Sequence, residues 1–467
     1  MSNPRAILVD DDPQQLIEAS EAIREAGFDL QTFTDAKSML DFLEGDHQFI
    51  DLFVLDRKLP MKDGETKSDE LGDALFERVK SEYPDARILV FSGYTDFDHA
   101  QALMEGVGFL FDQGEVQINH VTVMKKSQFD RFERHLAELR SVLRAIEMIE
   151  VIPESALDVI EKRVLSRVGY FYSATAVRAR LLAGGLTSAK VWMCEITTPH
   201  GPIGTVVAKQ GKALPAPGGL QDLLPREYIA RRVETISGLM DGKVISILQI
   251  AGQAPVPLMD LIGADDQLAS VQMDKLAARL DSVERSPQTS LQLAQIISQI
   301  EPWEDVVRRL EQFGIPAPPR DLWVTTSSVM THGDLHAGNV LICEDDPVLI
   351  DSDGNLFAAA LVDPLTMMMS ILAHPHSKLA VETWPTPEQI ELDFGDTNFG
   401  AESAAPMWFA SLHRWIDARS SSPREFWSVA LAYAGRQLQF PDVLANEAVR
   451  KRVLAIGAKA SAFLRDN

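Results

Sequence analysis

Three short apolar runs, each ending in a polar residue, constrain the first part of this chain more than any other feature. Ala6-Ile7-Leu8-Val9 ends in Asp10-Asp11-Asp12, Asp51-Leu52-Phe53-Val54-Leu55 in Asp56, and Arg87-Ile88-Leu89-Val90-Phe91 in Ser92-Gly93. Short runs that are apolar almost throughout suit strands buried on both faces. Between them, Leu16 to Ala26, Ala36 to Leu43 and Leu71 to Glu82 carry apolar residues at helical spacing. The alternation implies an α/β doubly wound parallel sheet, whose ligands gather at the C-terminal ends of the strands. Those ends offer acid, acid and hydroxyl at one sheet edge. Carboxylates crowded there repel each other, so a divalent cation would relieve the repulsion and screen the approach of an anionic phosphoryl donor.

This pattern resembles the receiver domain of two-component response regulators, which is flavodoxin-like in fold, over about residues 4 to 145. The matching stretches are Ile7-Leu8-Val9-Asp10-Asp11, Leu55-Asp56-Arg57-Lys58-Leu59-Pro60 and Ile88-Leu89-Val90-Phe91-Ser92-Gly93. The resemblance implies that Asp56 is the phosphoacceptor and that Asp10, Asp11 and Asp56 hold Mg²⁺. It also implies that the Ser92 hydroxyl bonds the acquired phosphoryl group, and that a cognate sensor histidine kinase is the partner. The family's lysine at the end of the fifth strand falls to Lys126, with Lys125 as the rival, after an intervening stretch from Gly106 to His120. The charged run Met61 to Glu70 lengthens the loop after the phosphoacceptor, where it would shield the site or contact a partner.

From Phe129 the apolar residues Phe132, Leu136, Leu139, Leu143 and Ile146 follow in steps of three and four. The first part suits the last helix of a receiver. The continuation through Ile146 and Ile149 toward Pro153 has no receiver role, and is read as a homodimer seam or a rigid coupling helix. The expected division is therefore a receiver at 1–128, a helical linker at 129–152 overlapping the receiver's last helix, and a second domain at 153–467.

In that second domain the stretch Thr331-His332-Gly333-Asp334-Leu335-His336-Ala337-Gly338-Asn339-Val340-Leu341 precedes Ile350-Asp351-Ser352-Asp353. Val340 to Ile342 and Val348 to Ile350 read as strands around the turn Asp345-Asp346-Pro347, a hairpin that gathers Asp334, Asn339 and Asp351 at one end. Phosphoryl transfer needs such a set, a carboxylate to orient the attacking group and hard oxygen ligands for Mg²⁺. The spacing resembles the aminoglycoside phosphotransferase and choline kinase-like family, a branch of the protein-kinase fold. That resemblance implies an α+β bilobal kinase-like phosphotransferase domain, with a small lobe at about 153–255 and a large lobe at about 256–467, using Mg²⁺ and ATP. Asp334 would orient the acceptor, a hydroxyl or an amine, and take its proton, while Asn339 and Asp351 hold Mg²⁺. Lys209, ending Val206-Val207-Ala208-Lys209, would hold the nucleotide phosphates, and Glu227, at the start of a helix, would keep Lys209 extended. Gly184-Gly185 would let the backbone approach a phosphate closely. His332 is read as a brace of the loop, with His336 and Asp353 as secondary candidates. Val362-Asp363-Pro364 is similar to the family's Gly-Asp-Pro turn, yet the aspartate expected four residues after Asp363 is Met367.

A formal net charge of -24 argues against a nonspecific nucleic-acid surface, which needs clustered lysine and arginine. Only Cys194 and Cys343 occur, too few for a disulfide framework. No apolar run reaches membrane-spanning length, and the first residues lead straight into a strand, so the expectation is a cytoplasmic protein without a membrane partner. Two functions are compatible with these residues. One is a response regulator with a phosphotransferase output; the other is a signalling adaptor whose kinase-like domain binds nucleotide or a protein partner without turnover.

Overall fold

The computed structural model describes residues 3–45, 49–93, 108–113, 116–182, 190–211, 219–249, 255–352, 356–374, 377–379 and 384–467. Its first unit contains strands β1 (Arg5–Val9), β2 (Asp29–Phe33), β3 (Leu52–Leu55), β4 (Arg87–Ser92) and, after the hairpin β5 (Phe109–Gln113) and β6 (Val116–Asn119), β7 (Val121–Lys125). Five of these make a sheet of order β2-β1-β3-β4-β7, with every pairing parallel. Helices α1 (Pro13–Glu25), α2 (Ala36–Gly45), α3 (Asp69–Glu82) and α4 (Phe129–Glu147) accompany the sheet. The sequence dictates this locally. All four residues of β3 are buried, and α1 begins where the Asp12 carboxylate accepts the Gln14 and Gln15 N–H groups, with Pro13 in the first turn.

The apolar stripe of α4 faces inward along its whole length. Phe132, Leu136, Leu139, Leu143 and Ile146 are all 0 % exposed and pack with Leu8, Val54, Leu89 and Phe91. Leu143 and Ile146 are therefore filled positions of this core, and the expected dimer seam has no free side chains there. The helical continuation expected through 152 is also corrected: α4 ends at Glu147, and residues Glu150–Pro153 form an edge strand, β8. Ile149 already belongs to the next core.

That next core lies under a six-stranded sheet of order β12-β13-β11-β10-β9-β8, with α5 (Val159–Phe171), β9 (Ala176–Leu181), β10 (Lys190–Thr198), β11 (Gly201–Gly211), β12 (Arg231–Ile236) and β13 (Val244–Gln249). Alternation splits its apolar residues between two faces. Trp192, Cys194, Ala208 and Ile247 meet Val164, Leu165 and Val168 of α5. Val191, Met193, Val207 and Leu248 meet Leu341, Cys343, Val348 and Ile350 of the hairpin β14 (Val340–Cys343) and β15 (Asp346–Leu349). The helix expected at Arg226-Glu227-Tyr228 is instead a turn with Glu227 exposed. Its backbone is committed elsewhere: Tyr228 N–H donates to the Pro225 carbonyl, while the Tyr228 carbonyl accepts from Leu349 N–H and Ala230 N–H donates to the Leu349 carbonyl.

Beyond the hairpin the chain is mainly helical, with α6 (Val362–Ala373), every residue of it buried, at the centre. Around it stand α7 (Pro406–Arg419), α8 (Pro423–Gln437) and α9 (Glu447–Asp466). Met367, where the family pattern has an acid, is 0 % exposed in this apolar core, so an unpaired carboxylate there would be costly. Cys194 and Cys343 are buried free thiols. Among the described residues no helix is long and apolar enough to cross a membrane.

Candidate functional site

At the C-terminal edge of the first sheet, β1 delivers Asp10 and Asp11 and β3 delivers Asp56. One carboxylate oxygen of each lies within 4.8 Å of the others. Asp12 N–H donates to Asp10 Oδ1 at 2.9 Å, tying the cluster to the start of α1. Lys126, just past β7, bridges the group, with Nζ 2.5 Å from Asp10 Oδ2 and 2.8 Å from Asp56 Oδ2. Lys125 is exposed. Burial pushes Asp10 up to about 6 even though Lys126 pulls the other way. Burial also disfavours the Lys126 ammonium, but its bonds to Asp10 and Asp56 outweigh that and hold its pKa above the ordinary lysine value. Three carboxylates with one oxygen each gathered this closely are a hard-oxygen donor set that fits Mg²⁺. The Ser92 side chain lies outside the described residues.

A second constellation forms around the hairpin. His332 is fully buried: its N–H donates to Asp363 Oδ2 at 2.9 Å and its Nε2 meets the Ile350 carbonyl at 2.8 Å. Gly333 N–H donates to Asp363 Oδ1 at 3.1 Å, so Asp363, at the start of α6, clamps the loop ahead of Asp334. The Asn339 amide donates to the Asp334 carbonyl at 3.0 Å. Ile350 N–H donates to the Asn339 carbonyl at 2.9 Å, which extends the hairpin ladder and sets Asn339 beside the residue preceding Asp351. Asp351 takes a left-handed φ of 59° and ion-pairs with Lys209 of β11.

Arg436 of α8 reaches the same loop, with Nη2 3.2 Å from Asp334 Oδ1 and Nη1 3.4 Å from the Gly333 carbonyl. Burial pushes the Asp334 carboxyl up, yet His336 and Arg436 outweigh it and hold the group below its usual range. His336 is buried, which lowers its pKa, and its Nδ1 accepts from Gly338 N–H at 3.1 Å. Thus Lys209 meets Asp351 and the Asn339 amide meets the Asp334 backbone, the hairpin ladder joining the two pairs, whereas Glu227 sits exposed in its turn. Gly184, Gly185 and Asp353 lie outside the described residues. Asp363 was singled out in the Val-Asp-Pro turn but not given its clamp on the loop, and Arg436 was missed, an arginine in a helix 102 residues from its partner.

The sequence model of the response regulator receiver domain family matches residues 6–110. Among solved structures, the chain is similar to a receiver domain protein from Clostridium thermocellum (15% identity, 30% of this chain and 97% of that one, TM-score 0.23). It is similar too to the signal receiver domain of a Luxo repressor protein from Vibrio parahaemolyticus (18% identity, 30% and 92%, TM-score 0.23). A third is a Thermotoga maritima response regulator solved with Mg²⁺ and BeF (21% identity, 29% and 98%, TM-score 0.21). No curated protein matches the chain. The N-terminal unit is a response regulator receiver domain with a flavodoxin-like parallel sheet of five strands.

Proposed function

We propose that this chain is a response regulator, phosphorylated on Asp56 by a histidine kinase, whose residues beyond the receiver act as an ATP- and Mg²⁺-dependent, kinase-like bilobal phosphotransferase. The observation that carries the output half of this reading is the ion pair between Lys209 and Asp351, brought together across 142 residues where the sheet meets the hairpin. Desolvating two charges is costly, and such a pair is best retained where each has a further role. Here the lysine would bind nucleotide phosphates and the aspartate a metal ion. The antiparallel run β9-β10-β11-β13-β12 laid over a helical layer supports the same reading.

Asn339 spends its amide N–H₂ on Asp334 and leaves its oxygen for a cation, with Asp351 as the second ligand. Mg²⁺ held there would neutralise charge on the phosphates. Asp334 would accept the acceptor's proton as the bond from that oxygen or nitrogen to the γ-phosphorus forms and the bond to the ADP oxygen breaks. The second reading, a nucleotide-binding adaptor without turnover, is favoured by one observation: Arg436 occupies the Asp334 carboxylate. Calorimetric titration of ATP with Mg²⁺ into the full chain, followed by turnover assays across hydroxyl and amine acceptors, tests both. Binding with turnover supports the enzyme and binding without turnover the adaptor. Absence of any nucleotide binding overturns the output reading altogether.

A further inference from the structure

The loop after the phosphoacceptor carries a second lysine into the acid cluster, and it is held there from several sides. Leu59 and Ser68 pair as an antiparallel bridge, with Ser68 N–H donating to the Leu59 carbonyl at 2.9 Å. Between them Glu65 N–H closes a turn on the Lys62 carbonyl at 3.0 Å, past Gly64 with φ at 82°. Ser68 then caps α3 by accepting from Glu70 N–H at 3.1 Å. Arg57 is ion-paired with Asp69 at 3.6 Å and Asp73 at 3.1 Å. Gly72 sits so close beneath that a Cβ would lie 1.8 Å from the Arg57 carbonyl oxygen. Lys67, one residue before the cap, extends from this braced loop and ion-pairs with Asp11.

We propose that Lys67 is a resident counter-ion of the phosphorylation site, competing with the divalent cation for Asp11 and so setting the receiver's cation affinity. Two ammonium groups, Lys67 and Lys126, already face the three carboxylates of Asp10, Asp11 and Asp56. A cation that takes Asp11 Oδ2 displaces the Lys67 ammonium, and one that takes the other oxygen sits near a like charge. Both effects weaken its binding.

Mn²⁺ titration of the full chain by calorimetry, at fixed ionic strength, tests this. Asp10→Asn in each background removes the receiver isotherm and so identifies it. Lys67→Met should bind Mn²⁺ about three- to tenfold more tightly than the wild type. Lys67→Arg should stay close to the wild type, which shows that charge and not loop integrity is being read. Lys62→Met removes the same charge from the same exposed loop, away from Asp11, and should change affinity less. If Lys67→Met binds Mn²⁺ no more tightly than Lys62→Met does, or binds it more weakly, Lys67 is not a competitor for the cation.

Discussion

At the scale of single residues, the two sites make separable demands on their carboxylates. Asp56 lies among Asp10, Asp11 and Lys126, so it should take a phosphoryl group from acetyl phosphate in Mg²⁺ and gain the corresponding mass. The Asp56→Asn variant should not, and equal gain by both proteins would exclude Asp56 as the acceptor. In the output region, Asp351→Asn should remove Mg²⁺-dependent ATP binding, because it deletes a cation ligand and the partner of Lys209. Asp334→Asn should leave binding intact and lower turnover roughly 10²- to 10⁴-fold, the usual contribution of a positioned base. Isothermal binding and single-turnover measurements separate the two, and parallel losses in both variants would mean that the roles are wrongly divided. Much of this was legible in the sequence because Asp10, Asp56 and Asp351 end apolar runs, while Asp334 and Asn339 bound a loop that leads into the apolar run Val340 to Ile342. The pairing of Arg436 with Asp334 and of Lys67 with Asp11 was not, since a partner chosen across the fold leaves no mark in its own neighbourhood.

Elements were legible wherever periodicity was long, and misread wherever the question was what an apolar face meets. The stripe on α4 was plain, but a stripe at steps of three and four looks the same whether it packs on its own sheet or on a second chain. Here Leu143 and Ile146 are fully buried in the receiver core. Leu143→Ala should therefore cost about 2–5 kcal/mol in stability through the cavity it leaves, as for other buried leucines. Sedimentation should show no change of association state for the folded variant. A shift in self-association with unchanged stability would restore the seam. The strand β8 was missed because Glu150-Val151-Ile152-Pro153 is too short for a pattern and ends in proline, a residue suited to an edge. Glu227 was misplaced for a different reason. Pairing of the flanking residues with Leu349 overrides local helical preference.

For the whole molecule, the decisive feature is how the receiver is fastened to the second unit. The turn between β12 and β13 enters the receiver at the end of its sheet opposite to Asp56. Asp85, just before β4, accepts from Leu239 N–H at 2.8 Å, from Gly242 N–H at 3.1 Å and from Met240 N–H. Leu239 itself is 0 % exposed within the receiver's core. Gly238, with φ at 87°, lies so near the Leu110 carbonyl that a Cβ would stand 1.8 Å from its oxygen. Arg167 of α5 donates to the Ser237 and Gly238 carbonyls at 3.1 and 3.2 Å and lies 4.5 Å from the centre of the Phe111 ring. Arg163 pairs with Asp51 at 3.2 Å. Buried donors and acceptors that satisfy one another across a joint are costly to separate, because each would be left without a partner. The receiver and the sheet of the second unit should consequently unfold together, with the state of one read in the other. All seven tryptophans lie beyond residue 190, so tryptophan fluorescence reports only the second unit. Beryllofluoride with Mg²⁺, which binds the receiver, should raise the midpoint of the tryptophan-reported thermal transition in the wild type by linkage. Asp85→Ala strands three backbone N–H groups, and should lower that midpoint by several degrees and abolish its response to beryllofluoride. Differential scanning alongside fluorescence gives both readings in one preparation. A tryptophan transition indifferent to the ligand and to Asp85→Ala would show that the joint carries no energetic coupling, and phosphorylation of Asp56 would then need another route to the output.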